Sequence, residues 1–431
     1  MAERYTTPEQ GTLDWHVPLN ENFSRLETDV EIRDLENNID NYTPTSGRLF
    51  RATDSGNLYL ANGTDWNLHN PPSSSDGSSS GGGIWTSITE FGAVGDGSTD
   101  DSDALEKAIH SATNVYVPDR TFKIQRPLTF SDVDTLHLFG PGTLKYGDLN
   151  EDYKYLLRFN NSHDVTVENL TLDGNYDNTA DYGALFFDEC TDTRIDKCDL
   201  YDWGNAQAST GSSSVTDQPH TITARGCQGT DVLFNNIRNS GGKGVNVWAK
   251  STTKPSVSTR LIGNRTYNTG EEGLFAGTTN DEGTAGIILA NNDIDTTRAQ
   301  YGIRMGGKQR CHALIANNTI RNTVNAGIEV KTQAPCVYNI SNNVLYGDNG
   351  INMRSIDEPL SGVISNNTLV NCSGWQGIKL LSGCEDVIVS GNYVNFIRIN
   401  SGNNFSVFGN YTYGKGIDTS GASGVKTGLN I

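Results

Sequence analysis

Asn264, Asn292, Asn318, Asn343, Asn367 and Asn392 recur at spacings of 28, 26, 25, 24 and 25 residues, each just ahead of a short run such as Thr319-Ile320 or Val344-Leu345. Asn235 lies 29 residues before the series and Asn410 lies 18 after it. In phase runs a second signature, a glycine followed by alternating residues, as in Gly302-Ile303-Arg304-Met305, Gly327-Ile328-Glu329-Val330 and Gly377-Ile378-Lys379-Leu380. So short a period, built from brief strands with no helical periodicity, predicts one coil of a parallel β-helix. An asparagine at the same bend in successive coils can bond to the coils above and below, satisfying polar groups that a buried turn would leave unpaired. The column therefore reads as structural. At about 4.8 Å per coil, residues 84–431 predict a rod of about ten to twelve coils, roughly 50 Å long.

The composition agrees: among 431 residues there are 47 Gly and only 35% hydrophobic residues, the profile of a turn-rich β protein. No apolar run approaches the roughly 20 residues of a membrane-spanning helix, so membrane insertion is not expected. Lys and Arg total 32 against 51 Asp and Glu, and the resulting charge of -19 repels phosphate backbones. Nucleic acid is excluded as the main partner. Acidity spread along the chain, with no lysine before Lys107, suits a protein kept hydrated in high salt. An ordinary acidic surface is the alternative. The first residues lack the basic and apolar regions of a signal peptide, so export by that route is not expected. Cys190, Cys198, Cys227, Cys311, Cys336, Cys372 and Cys384 include no C-x-x-C pair and read as buried thiols, neither a disulfide framework nor a zinc site. No metal or cofactor is expected.

Pro71-Pro72 and the Ser/Gly run that follows cannot bury apolar surface and predict a tether over 71–83, between a head, 1–70, and a body, 84–431. In the head, Leu19, Phe23, Leu26, Val30, Ile32, Leu35 and Ile39 form one stripe that predicts a helix of about six turns, seamed with copies of itself or folded onto its own hairpin. Turn signals at Asp54-Ser55-Gly56 and Asn62-Gly63 predict short strands between Gly47 and Trp66.

Phe91-Gly92-Ala93-Val94-Gly95-Asp96-Gly97-Ser98-Thr99-Asp100-Asp101-Ser102-Asp103-Ala104-Leu105 resembles the motif that opens the first coil in the pectate-lyase-like superfamily of right-handed parallel β-helices, which includes polygalacturonase-like enzymes and viral tail spikes. The resemblance implies an all-β, right-handed, single-stranded parallel β-helix, preceded here by a small head with a helix and short strands. Asp100 or Asp101 is expected to cap a short helix through Ala108 that plugs the first coil, a better reading of this acidic cluster than a catalytic pair. The stretch from Thr43 to Trp66 resembles small β modules of tail-fibre and tail-spike proteins, and with the acidity it points to viruses of haloarchaea. Together these resemblances imply a homotrimeric virion tail protein, made in the host cytoplasm, whose head docks to other tail proteins and whose body recognises a host surface glycan or glycoprotein. The Asn-Thr-Asp, Gly-His-Gly and Arg-Ile-Lys motifs of polygalacturonases and the Arg-x-Pro-x-x-Arg of pectate lyases are absent, so those activities are not carried over.

On the glycine-led strands, Asn246, Phe275, Arg304, Glu329, Asn352 and Lys379 point opposite to their apolar neighbours and predict one outward column. Beside it run Trp248, Gly277, Gly306, Lys331, Arg354 and Leu381. Aromatic rings mixed with Arg and Lys suit sugars, which makes Trp248, Phe275, Arg304, Lys331 and Arg354 candidate glycan contacts. A solvated sheet is the alternative. Candidate acids for cleavage are Glu271, Glu272 and Glu329, with Asp281-Glu282 nearby, because glycoside hydrolysis needs two carboxylates roughly 5 to 9.5 Å apart. Elimination would instead use Lys331 or Arg354 as base or charge clamp. His220 and Trp203 flank a long insertion, Gly204 to Gly226, expected to overhang the body as a loop. Three functions remain open: a glycan-binding tail spike, a glycan-cleaving hydrolase or lyase, and a structural virion rod.

Overall fold

The structure, a computed structural model, describes residues 32–34, 36–44, 49–52, 58–61 and 63–68 and, from 85 onward, all but 148–153, 176–181, 205–219, 250–256, 279–283, 298–300, 308–309, 334, 348–349, 356 and 372–376. The chain forms two units, Met1–Trp85 and Thr86–Ile431.

In the second unit the coils from Gly244 to Leu380 each supply a glycine-led strand, a middle strand and a short strand, and the earlier coils place strands without the leading glycine in the same positions. One coil runs through Ala326–Thr332, Cys336–Ser341 and Val344–Tyr346 before Ile351–Ser355 opens the next. Middle strands join a 15-stranded sheet, while glycine-led and short strands share a 23-stranded one. Pairing is parallel and in register, with Ile328 opposite Ile351, Ile340 opposite Ile364 and Leu345 opposite Leu369. This is the expected all-β parallel β-helix, of about 10 turns. Like residues stack inward: Ile303, Ile328, Ile351 and Ile378 are fully buried in one file, each burial being worth about 1.5–3 kcal/mol. Beside it a second inward file runs from Val330 through Met305, Ala276, Val247 and Ala224 and becomes aromatic nearer the first coil, with Phe130, Phe159 and Phe187 stacked at successive ring separations of 5.4 Å.

The asparagine column sits between middle and short strands. The Asn318 amide nitrogen donates to Leu289 O at 2.8 Å and to Asn343 Oδ1 at 2.9 Å, while its own Oδ1 accepts from the backbone N of Asn292 at 3.0 Å. The same bonds repeat from Asn235 through Asn410 to Asn430, and Cys198 N joins the upstream end by donating to Asn235 Oδ1. The asparagine doublets thereby divide two tasks. Asn291, Asn317, Asn342 and Asn366 take φ of 56 to 58° and turn the chain, which asparagine tolerates better than most residues. The residue that follows bonds the coils.

The opening motif closes the first coil. Helix Ser102–Ser111 buries Leu105, Ala108 and Ile109. Asp100 Oδ1 accepts from Ser102 N at 3.0 Å, and the Asp101 carboxylate accepts from Val94 N at 2.6 Å and Gly95 N at 3.1 Å. Both acids are thus occupied by backbone. Gly95 has φ +69°, and a Cβ there would meet the Phe122 ring at 2.7 Å.

Three expectations need correction. Ile32 and Ile39 do not continue a helix: Ile32–Asp34 is a strand parallel to Leu49–Ala52, and Glu36–Asn41 is a 3-10 turn whose Asn and Asp side chains favour local backbone bonding over helix, while Leu35 lies outside the described residues. The upstream stripe, Leu19 to Val30, and the tether lie outside the described residues. In the same unit the short strands Leu49–Ala52, Leu58–Ala61 and Trp66–Leu68 form, and Phe50 is buried among Tyr42, Tyr59 and Trp66. Second, Gly204 to Gly226 is not wholly a loop, because Ile222–Arg225 is a strand between Tyr182–Asp188 and Val245–Trp248. Third, Cys311 and Cys336 form a disulfide, since in-register pairing of neighbouring coils sets their Cα atoms 4.8 Å apart. Cys190, Cys198, Cys227 and Cys384 are buried free thiols, as expected.

Candidate functional site

The glycine-led strands align the outward column as expected: Asn246, Phe275, Arg304, Glu329, Asn352 and Lys379 pair in succession. In the neighbouring column Gly277, Gly306, Lys331 and Arg354 pair likewise, but a bulge after Met353 sets Arg354 against Ser382 instead of Leu381. The same two columns extend toward the first coil through Arg158, Phe186 and Thr223, and through Asp188, Arg225 and Trp248. Sequence reasoning misses this extension because the aligned glycines begin at Gly244 and the run Ala184-Leu185-Phe186-Phe187 is continuously apolar, so no alternation marks Phe186 as outward. Its centre is a sandwich in which the Phe186 ring lies between the Arg158 and Arg225 guanidiniums, at 4.8 and 5.2 Å, with Asp188 paired to both arginines.

Outward-pointing does not mean solvated here. Asn246 and Glu329 are only 6% and 3% exposed because longer neighbours fold over them. A chain of alternating charge crosses the coils. Lys243 pairs with Glu271 and lies 3.4 Å from Glu272; Glu272 is 3.0 Å from Arg304; Arg304 Nε is 3.2 Å from Glu329; and Glu329 is 3.0 Å from Arg354. Burial opposes the charge on Arg304, but the Glu272 and Glu329 carboxylates outweigh it and its pKa is raised. Burial, reinforced by Glu329, likewise pushes the Tyr301 phenol up. The Phe275 ring lies between Lys243 at 5.6 Å and Arg304 at 5.9 Å. It rests on Gly277, where a Cβ would come within 2.6 Å of the ring.

The structure thus brings Glu271, Glu272, Phe275, Arg304, Glu329 and Arg354 into one lattice. Trp248, 39% exposed, stands at one end, and Lys331 flanks the other with no carboxylate partner among the described residues. Such a lattice holds planar guanidiniums and rings in fixed positions, which suits binding of a polyhydroxylated or anionic chain. Glu272 and Glu329 share one guanidinium, and their side chains are 2% and 4% exposed. Asp281-Glu282 lies outside the described residues. His220 is buried away from solvent, its Nδ1 accepting from Lys243 N at 3.0 Å, and Trp203 is a core residue that donates to Leu172 O. Among the described residues no cluster of acids, histidines or cysteines has the form of a metal site.

The coil architecture defines the class as a pectate-lyase-like parallel β-helix. The chain belongs to the rhamnogalacturonase A/epimerase, pectate lyase-like family, whose description matches residues 85–372. It is 32% identical over 100 residues to the pre-neck appendage protein of Bacillus phage B103, covering 21% of this chain and 11% of that protein. To alginate lyase 7 of Azotobacter vinelandii it is 33% identical over 110 residues, 21% of this chain and 13% of the lyase. The chain therefore matches only a small part of either relative. Among solved structures, the catalytic unit of a GH87 α-1,3-glucanase from Streptomyces thermodiastaticus superposes with a TM-score of 0.50 and 16% identity, over 83% of this chain and 70% of that one. That likeness is one of fold.

Proposed function

We propose that the protein is a virion-associated tail spike or appendage whose glycine-led face, around Trp248, Phe275, Arg304, Lys331 and Arg354, recognises a glycan on the host cell surface. The observation that carries this reading is the exposed Trp248 ring in line with an arginine lattice and a Lys331 that has no carboxylate partner among the described residues, on a chain of net charge -19. A ring for stacking and cations for acidic substituents are what an anionic sugar chain requires. The phage appendage relative supports the virion setting. In this reading the head docks to other tail proteins and carries a homotrimer, and the acidity reflects a haloarchaeal host in high salt.

The second reading is a glycan-cleaving enzyme with Glu271, Glu272 and Glu329 as acids, supported by the family and by the alginate lyase relative. Against it stands the enclosure of Glu272 and Glu329, since a catalytic carboxyl must reach the glycosidic oxygen or sugar carbon. The full chain incubated with host envelope polysaccharide separates the readings: retention without new reducing or unsaturated ends is expected, new ends would establish cleavage, and neither would leave a structural rod.

A further inference from the structure

The short strands carry a second outward row that the glycan face does not use. Tyr201, Arg238, Tyr267, Asp295, Arg321 and Tyr346 pair in succession along it. Tyr267 and Tyr346 are 46% and 41% exposed. Beyond them the short-strand segment continues into Tyr393, which pairs with Thr368 and stacks on Tyr411 at 5.1 Å and on Tyr413 at 5.0 Å. These five are the exposed tyrosines among the described residues, and they share this part of the coil.

The arginines between the rings are already held. Arg238 lies 4.2 Å over the Tyr201 ring and 3.0 Å from Asp199, and Arg321 lies 5.9 Å from the Tyr346 ring while pairing with Asp293. Each guanidinium charge is thus met by an aspartate of the adjacent column. What the row offers outward is ring faces and hydrogen-bonding edges, with both guanidinium charges met and Asp295 accepting from Asn322 Nδ2 at 2.8 Å, a surface for hydroxyls and C–H faces more than for carboxylates. Its geometry is linear. Tyr201 and Tyr267 are two coils apart and Tyr267 and Tyr346 three, placing stacking stations roughly 10 and 14 Å apart along the axis. A protein partner would need a broad patch with an apolar centre, whereas a row one side chain wide fits an extended polymer.

We propose that this row binds a linear, uncharged polysaccharide lying along the solenoid axis, at a site separate from the Trp248 face and independent of the function proposed for it. The test uses the full chain with cellohexaose, mannohexaose and maltohexaose as probes, followed by isothermal titration. At least one probe is expected to bind with an affinity insensitive to sodium chloride. Tyr267→Ala and Tyr346→Ala should each raise its Kd roughly fivefold, while Trp248→Ala leaves it unchanged. If either alanine variant lowers the melting temperature, Tyr267→Thr and Tyr346→Thr, which keep strand propensity, carry the comparison. The proposal is overturned if no probe binds, or if binding survives the double tyrosine variant. It is equally overturned if that variant changes the sedimentation coefficient, which would make the row a protein interface.

Discussion

The Glu329 carboxylate lies 3.0 Å from the Arg354 guanidinium of the next coil, and this contact fastens the last link of the charge chain on the glycine-led face. Removing the charge should destabilise without abolishing recognition. Glu329→Gln leaves Arg304 and Arg354 without their shared counter-charge, and since both are partly solvated the expected loss is about 2 kcal/mol, less than for a fully buried pair. Urea unfolding followed by circular dichroism checks the stability, and polysaccharide retention should persist. Lost turnover with retained binding would instead assign Glu329 to catalysis.

The asparagine column is the costliest place to cut the body. Asn318→Ala strips acceptors from Asn292 and a donor from Leu289 O inside the coil, and with each orphaned buried group worth about 1–3 kcal/mol the total should reach at least 3 kcal/mol. Asn317→Gly, one residue earlier, keeps the left-handed turn and should change stability by less than about 1 kcal/mol. Paired urea titrations of the two variants distinguish ladder from turn.

Acid should weaken the body through His220. Burial, with the charge of Lys243 nearby, holds its pKa well below the ordinary value, so the folded protein keeps it neutral. The unfolded chain takes up a proton below about pH 6.5. The stabilisation is therefore complete above that pH and is lost as pH falls toward the folded value, amounting to about 1 kcal/mol by pH 5.5. Between pH 7.5 and 5.5 the urea midpoint of His220→Gln should fall less than that of the parent.

Thiol chemistry should separate the cysteines. Burial pushes Cys198 and Cys384 up to about 12, so neither should react with a disulfide reagent until the protein unfolds. Peptide mapping without reductant should recover Cys311 joined to Cys336.

The body is legible in the sequence because its period is carried by residues whose job repeats in every coil. Asn318 and Ile328 recur in kind, so spacing alone aligns them with their neighbours across the sheet. Where a coil departs from the pattern, spacing gives no guide: the strand Ile222–Arg225 follows a long insertion and has no leading glycine, and the bulge after Met353 displaces Leu381 by one residue. The disulfide is hidden in plain spacing, since Cys311 and Cys336 are 25 residues apart, one full coil. Of the site, the columns are readable but the burial of Glu329 is not, because alternation tells which side of a sheet a residue leaves from and nothing about what then folds over it. The head resists for another reason. A spacing of three and four suits helix, yet Ile32–Asp34 gains its hydrogen bonds from Phe50–Ala52, a partner remote in sequence.

The most direct test of glycan recognition on the glycine-led face is the dissociation constant of Trp248→Ala for the polysaccharide the parent protein retains, measured by isothermal titration beside its melting temperature. Trp248 is exposed and its loss opens no core, so Kd should rise roughly fivefold, a loss of about 1 kcal/mol, with the melting temperature unchanged. An unchanged Kd in a folded variant would contradict the assignment of this face.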